Sequence, residues 1–200
     1  MCYHSHIQFR EAFSMKQTNS TRKIVLAALM AALTVVGSGI RVTIPVDIGG
    51  NTAFHLGNIM CALSGLLLGP GLGGLAAGLG SAIYDMTNPL YISEAWLTFL
   101  MKGAYGLMAG LVAWTGKHSW GYIKAIFASC AGALAYAVLY LAKTYFKAMI
   151  VQGVAAEAAA IAAAAKLPAT IFNAAVAVIF APILGVTIRK ALERNHLHLD

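Results

Sequence analysis

The stretch Asn58-Ile-Met-Cys-Ala-Leu-Ser-Gly-Leu-Leu-Leu-Gly69-Pro70-Gly71-Leu-Gly-Gly-Leu-Ala-Ala-Gly-Leu-Gly-Ser-Ala-Ile-Tyr84 decides the fold. It is the core of a run from Ile48 to Tyr84 that contains no Asp, Glu, Lys or Arg and a single histidine, His55. No soluble protein can hide so long an apolar segment, and Gly69-Pro70-Gly71 interrupts it where proline removes a helix donor and paired glycines favour a turn. The run therefore reads as two short antiparallel membrane helices.

The same pattern repeats on either side. Ile24 to Ile40, bounded by Arg22, Lys23 and Arg41, forms the first span. Ala95 to Trp114 forms the fourth, interrupted only by Lys102; Trp120 to Leu141 forms the fifth; Leu167 to Ile188, with Pro168 in its tolerant first turn, forms the sixth. Across all 200 residues, 60% are hydrophobic, 10% are charged and the mean hydropathy is +0.74, too little polar surface for a soluble particle of this size.

The expected fold is an all-α membrane protein, a six-transmembrane-helix bundle with both termini cytoplasmic. Residues 1–22 are read as a cytoplasmic N-terminal tail, 23–190 as the membrane domain and 191–200 as a cytoplasmic C-terminal tail. Met1 to Ser14 reads as a disordered tail with Met15 as a second candidate start, and no cleaved signal peptide is expected.

Charge settles the direction. Of fourteen basic residues, nine (Arg10, Lys16, Arg22, Lys23, Lys117, Lys124, Arg189, Lys190, Arg194) fall on one side of a six-span bundle, which the positive-inside rule makes cytoplasmic. The alanine-rich segment Ala148 to Ala165, with Glu157 inside it, is helix-prone but barely apolar enough for lipid. A crossing there would put Arg189, Lys190 and Arg194 outside, so the segment reads as an external helix or lid. The net charge of +7 is scattered among apolar runs and does not form a nucleic-acid face.

Each polar residue within a span needs a reason. Glu94, Thr98 and Lys102 share one helix face, as do Tyr136, Tyr140, Lys143 and Lys147, then Lys166, Thr170 and Asn173, then His55 and Asn58. All four stripes sit toward the external ends of their helices and point to one cavity. The external loops add Arg41, Asp47 and Asn51, then Asp85, Asn88, Tyr91 and Trp96. Flat aromatics mixed with amide, carboxylate and ammonium groups suit a small heteroaromatic ligand.

A blander reading stands beside this one. Tyr91, Trp96 and Trp120 also fit an interfacial belt, Lys143, Lys147 and Lys166 fit snorkelling to headgroups, and a Glu94–Lys102 pair would satisfy both charges internally.

Other motifs fail on context. Gly69-x-Gly71-x-x-Gly74 follows no strand and reads as a tight turn; Gly110 to Lys117 has one spacer too many for a phosphate loop, and His118 stands where Ser or Thr is needed. Cys2, Cys61 and Cys130 have no zinc or disulfide spacing, and the terminal clusters Cys2, His4, His6 and His196, His198, Asp200 lack a second ligand pair. No metal, no cofactor and no catalytic constellation is expected.

Phe54-His-Leu-Gly-Asn58, Leu68-Gly-Pro-Gly-Leu-Gly-Gly74, Tyr84-Asp-Met-Thr-Asn-Pro89 and Lys166-Leu-Pro-Ala-Thr-Ile-Phe-Asn173 resemble the substrate-binding, or S, subunits of energy-coupling factor (ECF) vitamin transporters. The resemblance covers Lys23 to Arg189.

It implies a non-enzymatic subunit of an ABC-type importer in the bacterial plasma membrane. Such a subunit captures a vitamin or precursor from outside and docks, through small residues of its first helix, on a transmembrane coupling subunit driven by two ATPases. Ala27, Ala28, Ala31 and Ala32 match that docking motif. The implied ligand site comprises Asn51, His55, Asn58, Asp85, Asn88, Tyr91, Glu94, Trp96, Lys102, Tyr136, Tyr140, Lys166 and Asn173. Pyridoxine-type or hydroxymethylpyrimidine-type compounds are favoured, with riboflavin and other vitamins open; no nucleic acid is expected, and membrane lipid surrounds the bundle. The alanine-rich stretch is longer than the family's fifth loop. The rival is a stand-alone transporter or channel for a small polar solute, which would be expected to show an inverted repeat.

Overall fold

The computed structural model describes residues 2–45, 51–116 and 121–195, with residues 2–20 described as helix backbone only. Asp47, Lys117, His118, Trp120 and the His196, His198 and Asp200 cluster lie outside the described residues, as do the side chains of Cys2, His4 and His6.

The elements run α1 (Cys2–Gly39), β1 (Arg41–Ile44), β2 (Thr52–His55), α2 (Gly57–Met86), a 3-10 turn (Ile92–Glu94), α3 (Ala95–Trp114), α4 (Tyr122–Ile150), α5 (Ala156–Ala164) and α6 (Leu167–Arg194). The chain is mostly helical, and among the described residues five helices are long and apolar enough to cross a membrane. Ile24, Val25, Leu75, Leu79, Phe127, Leu134, Ile179 and Phe180 face outward, an apolar skin that suits lipid and not water.

Within α2 the helix breaks at Gly69, whose φ of 76° lies in the region that favours glycine. Beyond it the chain folds back. A Cβ on Gly73 would stand 2.5 Å from the Ser64 carbonyl oxygen and 2.6 Å from the Gly65 Cα. In a straight helix those residues would be separated by about 12 Å. The two arms of α2 thus pack as a tight hairpin.

α3 wedges against both arms at the same level: a Cβ on Gly110 would meet Pro70 N at 2.5 Å, one on Gly106 would meet the Gly73 oxygen at 2.6 Å, and Gly65 faces the Gly106 carbonyl. Gly74 and Gly78 likewise face Gly103 and Phe99 of α3. These small-residue pairs pack the bundle internally, as close backbone approach in lipid requires.

Pro70 cannot donate to the carbonyl four residues earlier, that of Leu66. The Trp114 indole Nε1 donates to that oxygen instead, at 3.0 Å. Trp114→Phe keeps the ring but leaves Leu66 short of a donor. It should cost about 1 kcal/mol, measured as a lower unfolding midpoint in detergent.

Three differences from the sequence expectation stand out. α1 begins at Cys2, so the backbone of residues 2–14 continues the first helix; no Pro or Gly interrupts residues 2 to 36. The loop after α1 holds a short antiparallel ribbon pairing Arg41 with His55 and Ile44 with Thr52, an addition to a mostly helical fold; Val42, Thr43 and Ile44 are β-branched and suit that conformation. α4 continues to Ile150, past the expected end at Leu141, because Lys143 and Lys147 find partners.

The alanine-rich segment splits. Its start completes α4, and its remainder forms α5, whose Ala159 and Ala162 pack on Ala148 and Tyr145 of α4. Nine residues extend only about 14 Å, half of a bilayer core.

A polar cavity under a clamped hairpin

The β1–β2 ribbon lies over one end of the bundle. Two strands of four residues are marginal alone, so their position depends on what holds them. Asn173 of α6 does this with both ends of its amide: Nδ2 donates to the Ala53 carbonyl at 2.8 Å, and Oδ1 accepts from the His55 N–H at 3.0 Å. Phe54 packs edge-on against Phe172, ring centroids 5.0 Å apart. Lys166 adds a third tie, donating to the Asn51 carbonyl at 3.1 Å.

Beneath the ribbon is a cavity of about 80 Å³. α1 and β1 contribute Ser38 and Arg41; the ribbon Asn51, Thr52, Ala53 and His55; α2 Ser81 and Asp85; the 3-10 turn and its approach Tyr91 and Glu94; α3 Thr98, Met101 and Lys102; α4 Tyr136 and Tyr140; α6 Thr170 and Asn173. The four polar stripes converge because each repeats at the helical period and faces inward at the same end.

Lys102 is only 4% exposed. Its ammonium donates to Asn58 Oδ1 and lies 4.0 Å from the centroid of the Tyr136 ring. Tyr136 stacks on Tyr140 at 5.6 Å and 17°, making a flat wall. The Arg41 guanidinium lies 4.6 Å from the Tyr84 ring centroid and 4.9 Å from that of Tyr91. Loss of solvation under the ribbon, reinforced by the Lys102 and Arg41 charges, holds His55 well below the usual imidazole range, so it is neutral at pH 7.

Of the thirteen expected site residues, nine line this cavity: Asn51, His55, Asp85, Tyr91, Glu94, Lys102, Tyr136, Tyr140 and Asn173. Asn58 stands one layer behind, orienting Lys102. Lys166 holds the ribbon and lies 5.6 Å from the Tyr140 ring centroid. Asn88 and Trp96 are not in the wall: Asn88 accepts from the Leu90 N–H inside a turn, and Trp96 is 64% exposed, where an amphipathic ring at an interface belongs.

Glu94 does not pair with Lys102; it bridges Lys143 and Lys147 of α4. Two lysines one turn apart can close on a single carboxylate from a neighbouring helix, whereas Lys102, two turns from Glu94 on α3, is drawn to Asn58 of α2.

Sequence reasoning missed Ser38, Thr52, Ala53, Ser81 and Met101 as wall residues. Single serines are common inside apolar helices, where they bond back to their own turn, so nothing in their spacing marked them.

The four alanines of α1 face two ways. Ala27 and Ala31 pack inward against the core, and Gly80 closes on the Ala31 carbonyl. Ala28 and Ala32 are exposed on the outer face.

A family model described as the S component of ECF-type riboflavin transporters matches residues 18–190. An uncharacterized protein of Pyrococcus woesei, described as lying in a gap 3' region, is 32% identical over 114 residues, covering 57% of this chain and 72% of that protein. A UPF0397 protein of Streptococcus agalactiae is 35% identical over 96 residues, 48% of this chain, and the match spans 50% of the streptococcal protein. Among solved structures, the S-component for biotin from an ECF-type ABC transporter superposes with a TM-score of 0.58 at 15% identity, over 84% of this chain and 92% of that one. At that identity the likeness shows a shared fold.

Proposed function

This chain belongs to the family of ECF-type riboflavin transporter S components, and we propose that it captures a small water-soluble vitamin or precursor and hands it to an ECF module. The family is a substrate-binding transporter component embedded in a membrane, not an enzyme. The observation that carries the reading to this chain is the buried cavity, in which charged, amide and stacked aromatic side chains from separate helices meet where lipid would not tolerate them apart.

In the proposed arrangement α1, both arms of α2, α3, α4 and α6 make six crossings of a bacterial plasma membrane. Residues 1–22 and 191–200 are cytoplasmic, residues 23–190 form the membrane domain, and the cavity opens outside. The nine-to-five split of basic residues supports this orientation.

The ribbon acts as the cover, and Asn51, His55, Asp85, Tyr91, Glu94, Lys102, Tyr136, Tyr140 and Asn173 act on the ligand. A space of about 80 Å³, about three waters at liquid density, favours the smallest candidates, one substituted ring of the pyridoxine or hydroxymethylpyrimidine type. The family description favours a second reading, riboflavin, which would require the ribbon to lift.

Equilibrium binding of a vitamin panel to the detergent-purified protein, without ATP, tests the proposal. One compound should bind at nanomolar affinity and one to one; no binding by any member would refute it.

Docking on the coupling subunit is assigned to the outward pair Ala28 and Ala32, while Ala27 and Ala31 seat α1 in its own bundle. Ala32→Trp should abolish uptake in cells carrying the ECF module while leaving vitamin binding intact. Unchanged uptake would place the docking face elsewhere.

A further inference from the structure

Among the described residues, two cations line the cavity, neither of them in a salt bridge, and they share the field of one carboxylate, Asp85. Lys102 is buried, and its recorded partners are the neutral Asn58 amide and the Tyr136 ring. Arg41 donates through Nε to the Ser38 carbonyl at 3.1 Å, but its Nη1 is buried with no hydrogen-bond partner among the described residues. No carboxylate among the described residues lies within 4.0 Å of either cation.

Of the two carboxylates in the wall, Glu94 is already held by Lys143 and Lys147, which leaves Asp85 alone for both. The Tyr91 hydroxyl and His55 Nδ1 are also buried without partners. Among the described residues, three of the five orphaned buried side-chain polar groups therefore belong to this one wall.

A buried cation without a counter-charge is costly, and orphaned donors cost most where water is excluded. A fold retains such groups when something else completes them. Neutral riboflavin or a neutral pyridine alcohol would satisfy hydrogen bonds but not the charge. A flat ring against the Tyr136 and Tyr140 wall, with an oxyanion held by Lys102 and the Arg41 guanidinium, would satisfy both.

We infer that the ligand is a single-ring heteroaromatic compound bearing an oxyanion, a carboxylate or a phosphate, bound by Lys102 and Arg41 while Tyr136 and Tyr140 stack on the ring. This rests on the vitamin-binding reading above and narrows it to a charge class. Asp85, on the wall with Thr98, takes a donor on the ring's other edge. Arg41 belongs to β1, so an anionic ligand would also draw the cover down onto itself.

The test begins with the wild-type protein purified in detergent from cells and denatured, so that mass spectrometry can identify the molecule it releases. A one-ring acid or phosphate is expected, and the mass tells the two apart. A neutral or cationic vitamin overturns the inference and leaves the vitamin-binding reading standing; no retained molecule, with no vitamin bound from the panel, removes both.

Affinities of wild type, Lys102→Gln and Arg41→Gln are then measured for the identified acid and for its uncharged amide or dephosphorylated analogue. Each substitution should weaken the acid by about 100-fold and the analogue by about tenfold or less, because the analogue loses a hydrogen bond but no ion pair. Equal losses for both compounds would show that these residues only support the fold, and would overturn the inference.

Discussion

Asn173→Ala is expected to weaken vitamin binding by about two to three orders of magnitude while the protein still accumulates and folds. The side chain is buried on α6 and spends its amide on the backbone of β2, giving one hydrogen bond to Ala53 and taking one from His55. Removal leaves a donor and an acceptor unpaired, at about 1 to 3 kcal/mol each, unless the ribbon lifts into water. Lifting is the cheaper response, because four-residue strands are marginal and the Lys166 tie and the Phe54–Phe172 contact alone would have to hold β2. The cavity then loses its cover and Arg41 together. Equilibrium binding checks the loss, and a thermal unfolding midpoint within a few degrees of wild type checks that the bundle survives. Asn173→Asp should be intermediate, since it keeps the acceptor for His55 and loses the donor for Ala53.

Gly73→Ala should act on the bundle itself. Its added methyl would sit 2.5 Å from the Ser64 oxygen and 2.6 Å from the Gly65 Cα, both in the facing arm's backbone, which cannot rotate away as a side chain could. Overpacking of this kind costs about 3 kcal/mol, and the hairpin would have to open, pulling α3 with it through Gly106. The expected result is a fall of roughly 6–12 °C in unfolding midpoint. Gly71→Ala, two residues away, serves as the control, because nothing lies within 4 Å of its added methyl. Equal losses in the two variants would mean that helix propensity or the turn matters and close packing does not.

Much of the cavity wall was legible because isolated polar residues in apolar helices carry their own period. Glu94, Thr98 and Lys102, or Tyr136 and Tyr140, could be assigned to faces from spacing alone, and the cavity wall holds all five. Gly69-Pro70-Gly71 announced the break in α2 for the same reason: few sequences other than a turn would tolerate it.

What spacing cannot give is the partner across a helix boundary. Glu94 bonding Lys143 and Lys147 depends on how α3 and α4 cross, which no residue interval encodes. The division of Ala27 and Ala31 from Ala28 and Ala32 was hidden likewise, since α1 is apolar on both its inner and its lipid face and alanine gives no sign of which way it points. The ribbon escaped because four-residue strands joined by a Pro- and Gly-containing connection fall below the length at which alternation can be read.

The most direct test is a map of the protein saturated with the vitamin it retains. The account expects ligand density under the β1–β2 ribbon, in contact with Lys102 and the Tyr136 ring, with Asn173 still bonded to β2. Density outside this cavity, or a cavity filled by water while the vitamin sits elsewhere, would contradict it.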